Sequence, residues 1–279
     1  MSTSQVRPGF PPPNSRAFDE LAARLAVIMA EAEQQPDTTT ATSSKTKLII
    51  GIDFGTTYTG VAYAHTTLQL GESSSAMIVE QVRDNIFPVR DFPNPDPHYP
   101  DKIRTVLAYS EDGEVAAWGG TVKPSHKTQI AFFKLGLQDS IGDFYKSATS
   151  EMEGFLKGPG YRHARLPSKS ALDFAADYLK AIVNHVLNVS LPKHFSKDFM
   201  TEQSIGYVIT VPAIWSDKAK NLTRQAAERA GIAEADLQMV TEPEAAALYC
   251  STLCGEVDLT DGDRFLICDA GGGTVVSGL

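Results

Sequence analysis

Two short stretches of this sequence combine an aspartate, glycines and threonines directly after an apolar run. The first is GIDFGTTYTG at residues 51–60, after the apolar residues 48–50, and the second is DAGGGT at 269–274, after FLIC. Successive N–H groups of a glycine-rich turn and threonine hydroxyls can converge on phosphate oxygens. The aspartate of each stretch is a hard oxygen ligand suited to Mg²⁺, which also binds phosphate. Two such turns facing one another predict a site for a nucleoside triphosphate and its metal.

A third segment, at residues 208–247, lies between these two stretches and helps to decide whether they are more than turns. Either stretch alone could be only a turn, since glycine-rich turns commonly follow strands. Between them lie VITVPAIW at 208–215 and, after a helical pattern, VTEPEAAA at 240–247. Pro243 suits the first position of a helix, which leaves Glu242 at the helix N-terminus, where a carboxylate favours the helix dipole.

The elements that would position these residues form an α/β pattern. An amphipathic helix is predicted over 170–191 and is expected to cover a sheet. A second helix is expected from Ser216 to about residue 230, ended by Gly231. It connects two strands and so completes a right-handed crossover unit. The apolar runs that predict strands lie at 48–52, 59–65, 76–79, 103–109, 115–118, 205–211, 237–240 and 264–269.

These motifs resemble those of the heat shock protein 70 family of chaperones, within the actin-like ATPase superfamily. GIDFGTTYTG is similar to the family's first phosphate loop and DAGGGT to its second, while VITVPAIW, AAERAGI and TEPEAAA are similar to its connecting segment. The resemblance covers about residues 47–275, and the irregular stretch after residue 84 is typical of a divergent member. Sugar kinases of the same superfamily share the first loop but do not usually carry VITVPAIW or EPEAAA.

The resemblance implies an α/β fold of the actin-like ATPase (ribonuclease H-like) type. It places an essentially complete lobe I at 47–255, with an insert subdomain at about 84–165. Lobe II would begin at 262–279 and be truncated after its first strand and phosphate loop, without an adenosine-gripping motif. Residues 1–46 are expected to form a disordered tail with an amphipathic helix over 15–34, which either docks a partner or folds onto this chain.

The resemblance also gives each candidate site residue a role. Lys134, in AFFKLGL, takes the place of the catalytic lysine and would offset charge that builds during phosphoryl transfer, although most lysines are solvated surface groups. Glu242 and Asp269 are the other catalytic candidates, and with Asp53 they would position Mg²⁺ through waters. The phosphates of ATP would be held by Gly55, Thr56, Thr57 and Tyr58 on one side and by Gly271, Gly272, Gly273 and Thr274 on the other. The family's further aspartate after GGGT is replaced by Val276.

Three functions follow from these observations. The favoured one is the ATP-binding, ATP-hydrolysing nucleotide-binding domain of a chaperone like heat shock protein 70, present as an N-terminal fragment in which the missing second wall would make hydrolysis inefficient. The alternatives are a non-catalytic fragment that binds other proteins such as co-chaperones, or an incomplete gene model. A small-molecule kinase of the same superfamily is less favoured, because EPEAAA is present.

The composition bears on which partners this protein could bind and in which cellular compartment it is expected. The chain has 279 residues, 42% of them hydrophobic, and a net charge of -9, which argues against a nucleic-acid or acidic-membrane surface. It has no apolar run of the roughly 20 residues that span a bilayer and no secretory pattern at its start. Three cysteines suggest a reducing compartment. We therefore expect a cytoplasmic or nuclear protein, and the resemblance implies that it binds ATP or ADP with Mg²⁺.

Overall fold

The computed structural model describes residues 45–68, 86–138, 169–253, 267–270 and 275–278. The strands are β1 (Lys45–Phe54), β2 (Tyr58–Leu68), β3 (Ile86–Pro88), β4 (Lys102–Arg104), β5 (Val106–Tyr109), β6 (Val115–Trp118), β7 (Gln129–Ala131), β8 (Ser204–Val211), β9 (Leu237–Thr241), β10 (Ile267–Ala270) and β11 (Val275–Gly278). The α-helices are α1 (Ala171–His185), α2 (Lys197–Glu202), α3 (Asp217–Arg229) and α4 (Glu242–Leu253). The predicted helix at 15–34 and strand at 76–79 lie outside the described residues.

A six-stranded sheet forms the centre of the fold, with the order β3-β2-β1-β8-β9 and with β4 also paired to β2. The β1–β2 pair is antiparallel, whereas β1–β8 and β8–β9 are parallel. The strands predicted at 48–52, 59–65, 205–211 and 237–240 are confirmed, and α3 connects the last two. Because β1, β8 and β9 run in the same direction, their carboxyl ends meet at one edge of the sheet.

The single strand predicted at 103–109 is wrong, since the chain forms two strands there in different sheets. β4 joins the central sheet, and β5 forms a second sheet of order β6-β5-β7. The break falls at Thr105, whose N–H donates to the Thr57 carbonyl at 2.8 Å and whose Oγ1 donates to the Gly55 carbonyl at 2.8 Å. Thr105 thus bonds to the β1–β2 turn instead of continuing the strand. As a result, the expected insert shares its first strands with the central sheet.

Helix α1 covers the apolar core that the two sheets share. Ser170 caps it by accepting from the Asp173 N–H, and one stripe of the helix is buried. The α-helical hydrogen bonding ends at His185 and gives way to a π-helical turn over Val186–Ser190, so the predicted helix to residue 191 is too long. Pro192 follows, and a proline cannot be accommodated in a continuing α-helix. The buried residues of α1 are Ala175, Ala176, Tyr178, Leu179, Ile182 and Val183.

Helix α3 begins and ends at the residues expected from the sequence. The Ser216 side chain accepts from the Ala219 N–H at its start. At its end Gly231 adopts φ +99°, a conformation that favours glycine. The helix is thereby fixed between β8 and β9.

Candidate nucleotide site

Polar side chains from three strands, β4, β1 and β8, lie in one row at the edge where β1 and β8 end. Asp53 of β1 pairs with Gly60 of β2, and Gly60 pairs with Lys102 of β4. Directly paired residues of adjacent strands present their side chains on the same face of a sheet. Gly60 has no side chain, so none stands between Lys102 and Asp53. On the other side of Asp53 lies Thr210 of β8.

Asp53 is 7% exposed and its two carboxylate oxygens have different partners. Oδ1 accepts from Thr210 Oγ1 at 3.0 Å, and Oδ2 accepts from Lys102 Nζ at 3.0 Å. Burial by itself would raise the pKa of Asp53, but Lys102, Lys134 and the Thr210 hydrogen bond outweigh it and hold this pKa below its ordinary value. Asp53 is therefore a charged, oriented carboxylate at neutral pH.

Lys134 and Glu242 form a second, more deeply buried pair. Lys134 Nζ donates to Glu242 Oε1 at 2.8 Å, and the two side chains are 3% and 6% exposed. The ammonium also lies 5.6 Å from the ring centroid of Phe54 and 5.4 Å from that of Trp215, within cation–π range. The alternative that Lys134 is a solvated surface lysine is therefore wrong.

The backbone around Lys134 holds this ammonium in place. Lys134 belongs to a 3₁₀ turn, Phe133–Leu137, which is preceded by Phe132 in the left-handed conformation at φ +60°. At Gly136 a β-carbon would lie only 2.7 Å from Ala171 Cβ, so this turn packs closely on α1. A non-glycine residue at positive φ is strained and persists only where the surrounding structure enforces it.

Glu242 begins α4, as predicted, but other residues cap this helix. The Thr241 N–H donates to Glu244 Oε2 at 2.9 Å, and the Glu244 N–H donates to Thr241 Oγ1 at 3.3 Å. This reciprocal arrangement is a capping box. Since Thr241 and Glu244 cap the helix, Glu242 is not needed as its cap.

The turn between β1 and β2 requires glycine at its first position. A β-carbon on Gly55 would lie 2.0 Å from the Tyr58 carbonyl oxygen, so no other residue fits without moving the backbone. Thr56 is buried and Thr57 is half-buried. Thr105 bonds to the carbonyls of both Gly55 and Thr57, which fixes the orientation of these peptide groups. The turn is thus a rigid element immediately after Asp53.

Tyr58, predicted to hold phosphate, uses its side chain within the protein. Its hydroxyl donates to Asp96 Oδ2 at 2.9 Å, and its ring lies 5.2 Å from that of Tyr99. Burial, followed by the bond to Asp96, raises the pKa of Tyr58 to about 12. A phosphate contact from Tyr58 would therefore have to come from the backbone N–H.

The second predicted phosphate loop falls mostly outside the described residues. β10 and β11 form the expected antiparallel hairpin, in which Asp269 pairs with Val276. The Asp269 side chain and Gly271, Gly272, Gly273 and Thr274 are not among the parts that the structure describes. That the turn at 55–58 and the turn at 271–274 face one another therefore stays a prediction.

Sequence reasoning missed three residues that shape this site: Lys102, Thr105 and Thr210. Lys102 precedes the predicted strand 103–109, Thr105 lies at the break within it, and Thr210 sits within the apolar run 208–211. A lysine before one apolar run and a threonine within another could have been noticed, but nothing local indicates that they reach Asp53. The register of the sheet brings them there.

Two carboxylates are suitable ligands for Mg²⁺ among the described site residues. Mg²⁺ usually keeps several waters and is bound through one or two carboxylates together with phosphate. Asp53 and Glu242, both buried at the carboxyl ends of parallel strands, fit that requirement. In the described ranges no cluster of three or more histidine, cysteine, aspartate or glutamate residues could hold a metal by itself. Nor is any described helix long and apolar enough to cross a membrane.

Comparison with known proteins shows which proteins this chain is similar to. Heat shock 70 kDa protein 12B of Homo sapiens is 22% identical over 268 residues, 91% of this chain and 35% of that protein. Heat shock 70 kDa protein 12A of Mus musculus is 27% identical over 221 residues, 74% of this chain and 29% of that protein. The Chaperone protein HscA homolog of Laribacter hongkongensis is 27% identical over 237 residues, 82% and 31% of the two chains. No protein-family model matches.

These similarities, at 22% to 27% identity over most of the chain, support a divergent protein like heat shock protein 70. The similarity implies the actin-like ATPase fold, and the structure is mixed α/β. The chain spans about a third of the length of the curated relatives it matches, 35%, 31% and 29% for the three named.

Proposed function

We propose that this chain is the ATP-binding and ATP-hydrolysing nucleotide-binding domain of a chaperone like heat shock protein 70, or part of that domain. One observation carries the proposal: the glycine turn at Gly55 begins two residues after Asp53, and a buried and a partly buried lysine–carboxylate pair lie at the same edge of the sheet. Ligands of α/β sheets bind in the crevice beyond the carboxyl ends of the strands. The similarity to proteins named heat shock and chaperone proteins supports the same function.

The proposal gives each residue a task. The N–H groups of Gly55, Thr56, Thr57 and Tyr58 would bind phosphate oxygens from one side, and Gly271, Gly272, Gly273 and Thr274 would bind them from the other. Asp53, Glu242 and Asp269 would hold Mg²⁺ through waters, and the metal would neutralise phosphate charge. Lys134 is held 2.8 Å from Glu242. From there its ammonium would stabilise charge that develops during attack of water on the γ-phosphate.

The remaining assignments are proposals of the same kind. Residues 47–255 would form lobe I, and 262–279 the start of lobe II. Co-chaperones are the proposed protein partners, and the cytoplasm or nucleus is the proposed location. Each follows from the family resemblance or the composition.

Calorimetric titration of the 279-residue chain with MgATP and MgADP tests the proposal. We expect wild-type binding in the micromolar range. Gly55→Ala should weaken it at least about tenfold, because the new β-carbon must displace the backbone that binds phosphate. Phosphate release from ATP, measured on the same samples, reports hydrolysis.

Gly113→Ala is the matched control. Gly113 has φ +81° in the β5–β6 turn, and a β-carbon there meets no atom within 4 Å. The substitution should cost about 1 kcal/mol of stability from backbone strain, without changing nucleotide affinity. A folded wild-type chain that binds neither nucleotide would overturn the proposal, as would equal effects of the two substitutions on affinity.

A further inference from the structure

Lys102 is a charged residue of this edge that the proposed function does not use. Its Nζ donates to Asp53 Oδ2 at 3.0 Å, and its side chain is 19% exposed. It reaches Asp53 across Gly60, which pairs with both residues. A partly exposed lysine therefore lies one strand away from the turn predicted to bind phosphate.

Each described carboxylate that would hold the metal already has a lysine partner. Lys102 pairs with Asp53, and Lys134 pairs with Glu242. Both oxygens of Asp53 are engaged, because Thr210 donates to the other one. A metal-bound water that donates to Asp53 Oδ2 would share this oxygen with the Lys102 ammonium. These four ionised side chains sum to zero charge before any ligand binds.

The two lysines differ in how far their side chains are exposed. Lys134 is 3% exposed and is enclosed by Glu242 and by the rings of Phe54 and Trp215. Lys102 is more accessible, and no side chain separates it from Asp53 above Gly60. A lysine ammonium on a four-carbon stem is a mobile point charge that binds phosphate readily. Moving Nζ from Asp53 to a phosphate oxygen would free Asp53 at the same time.

We propose that Lys102 is a phosphate-binding residue of this site and allows the chain to bind ATP without Mg²⁺. The inference rests on the proposed function and adds to it. In the absence of metal, Lys102 supplies a positive charge beside the phosphates. With metal present, the charge of Lys102 is partly redundant. The competing interpretation is that Lys102 only orients Asp53, in which case its removal would impair binding most when Mg²⁺ is present.

The test is calorimetric titration with ATP in excess EDTA and in excess Mg²⁺. We expect the wild-type dissociation constants in the two conditions to lie within about tenfold of one another. Lys102→Met should weaken binding in EDTA by about tenfold or more, the effect of losing one charge-assisted hydrogen bond. With Mg²⁺ the same substitution should change affinity by less than about threefold, and Lys102→Arg should restore binding in EDTA.

Lys193→Met is the matched control, because Lys193 also pairs with an aspartate, Asp91, at 2.6 Å. It should leave both affinities unchanged. If Lys102→Met does not fold, Lys102→Gln retains a donor for Asp53 without the charge and carries the same expectation.

The possible failures are distinguishable. Wild-type binding that requires Mg²⁺, or a Lys102→Met effect that is equal or larger with Mg²⁺, overturns this inference and leaves the proposed function standing. A folded wild-type chain that binds ATP in neither condition overturns both.

Discussion

Asp53 and Asp91 have the same kinds of bonding partners but occupy different regions of the molecule. Each carboxylate accepts from a hydroxyl at one oxygen and from a lysine ammonium at the other. The donors are Thr210 and Lys102 for Asp53, at 3.0 and 3.0 Å, and Ser190 and Lys193 for Asp91, at 2.7 and 2.6 Å. In both regions these donors outweigh the effect of burial and lower the pKa of the aspartate.

The two aspartates differ in how deeply they are buried and in what surrounds them. Asp53 and Lys102 have side chains 10% and 19% exposed, against 25% and 53% for Asp91 and Lys193. Asp53 ends a central strand beside a glycine turn, whereas Asp91 follows β3 and ties this segment to the end of the π-helical turn. Asp53 also lies near the buried ammonium of Lys134, whereas the further basic neighbour of Asp91 is His185, whose Nε2 lies 3.4 Å from Asp91 Oδ1. The bonding pattern alone therefore does not identify a site; burial, the end of a parallel strand and a second charge pair do.

The largest loss of stability is expected from breaking the Lys134–Glu242 pair, a second ion pair that lies in the region of Asp53. Lys134→Met leaves Glu242 as an unpaired buried charge and should lower the free energy of unfolding by about 3 to 5 kcal/mol at pH 7. Urea denaturation measures this loss. The double variant Lys134→Met with Glu242→Leu should recover most of it, because no buried charge then remains unpaired. A double variant as unstable as the single one would show that packing, not charge, dominates.

An intermediate effect is expected from neutralising each aspartate in turn. Asp53→Asn removes the charged carboxylate that accepts from the partly buried Lys102 ammonium and should cost about 2 kcal/mol of unfolding free energy. It should also weaken MgATP binding. Asp91→Asn, where the lysine is half exposed, should cost less than about 1 kcal/mol and leave nucleotide affinity unchanged. Equal costs, or an effect of Asp91→Asn on binding, would remove the distinction between the two regions.

The smallest effect is expected in the pH dependence of the stability that the Asp91 carboxylate contributes to the fold. The pKa of Asp91 is lower in the folded protein than its ordinary value of 3.8, so its carboxylate stabilises the fold above that value. The contribution is lost as pH falls through the folded pKa. The difference in unfolding free energy between wild type and Asp91→Asn, about 0.5 kcal/mol, should be constant near neutral pH and shrink on acidification. Asp53 should behave with the same sign and a larger amplitude, and a difference that grew in acid would contradict this assignment.

The local features of the fold were predictable from the sequence. Apolar runs gave the strands at 48–52 and 205–211, and the Ser216 cap and Gly231 marked the ends of α3. The same pattern failed at 103–109, because Thr105 leaves the strand to bond with the β1–β2 turn. It failed again at the end of α1, where the apolar stripe continues past His185 but the α-helical hydrogen bonds do not.

The sequence by itself determined which residue types stand beside the glycine turn, since a turn and its flanking strands are encoded by neighbours in the chain. It placed Asp53 at a strand end and Glu242 at the start of α4. Only the tertiary structure decided that Lys102 and Thr210 share Asp53 and that Lys134 meets Glu242 across 108 positions of sequence. For Asp53 the physical reason is the register of the sheet, because pairing across strands sets which side chains become its neighbours. Lys134 and Glu242 lie outside the strands, and the packing of the 3₁₀ turn near the start of α4 brings them together.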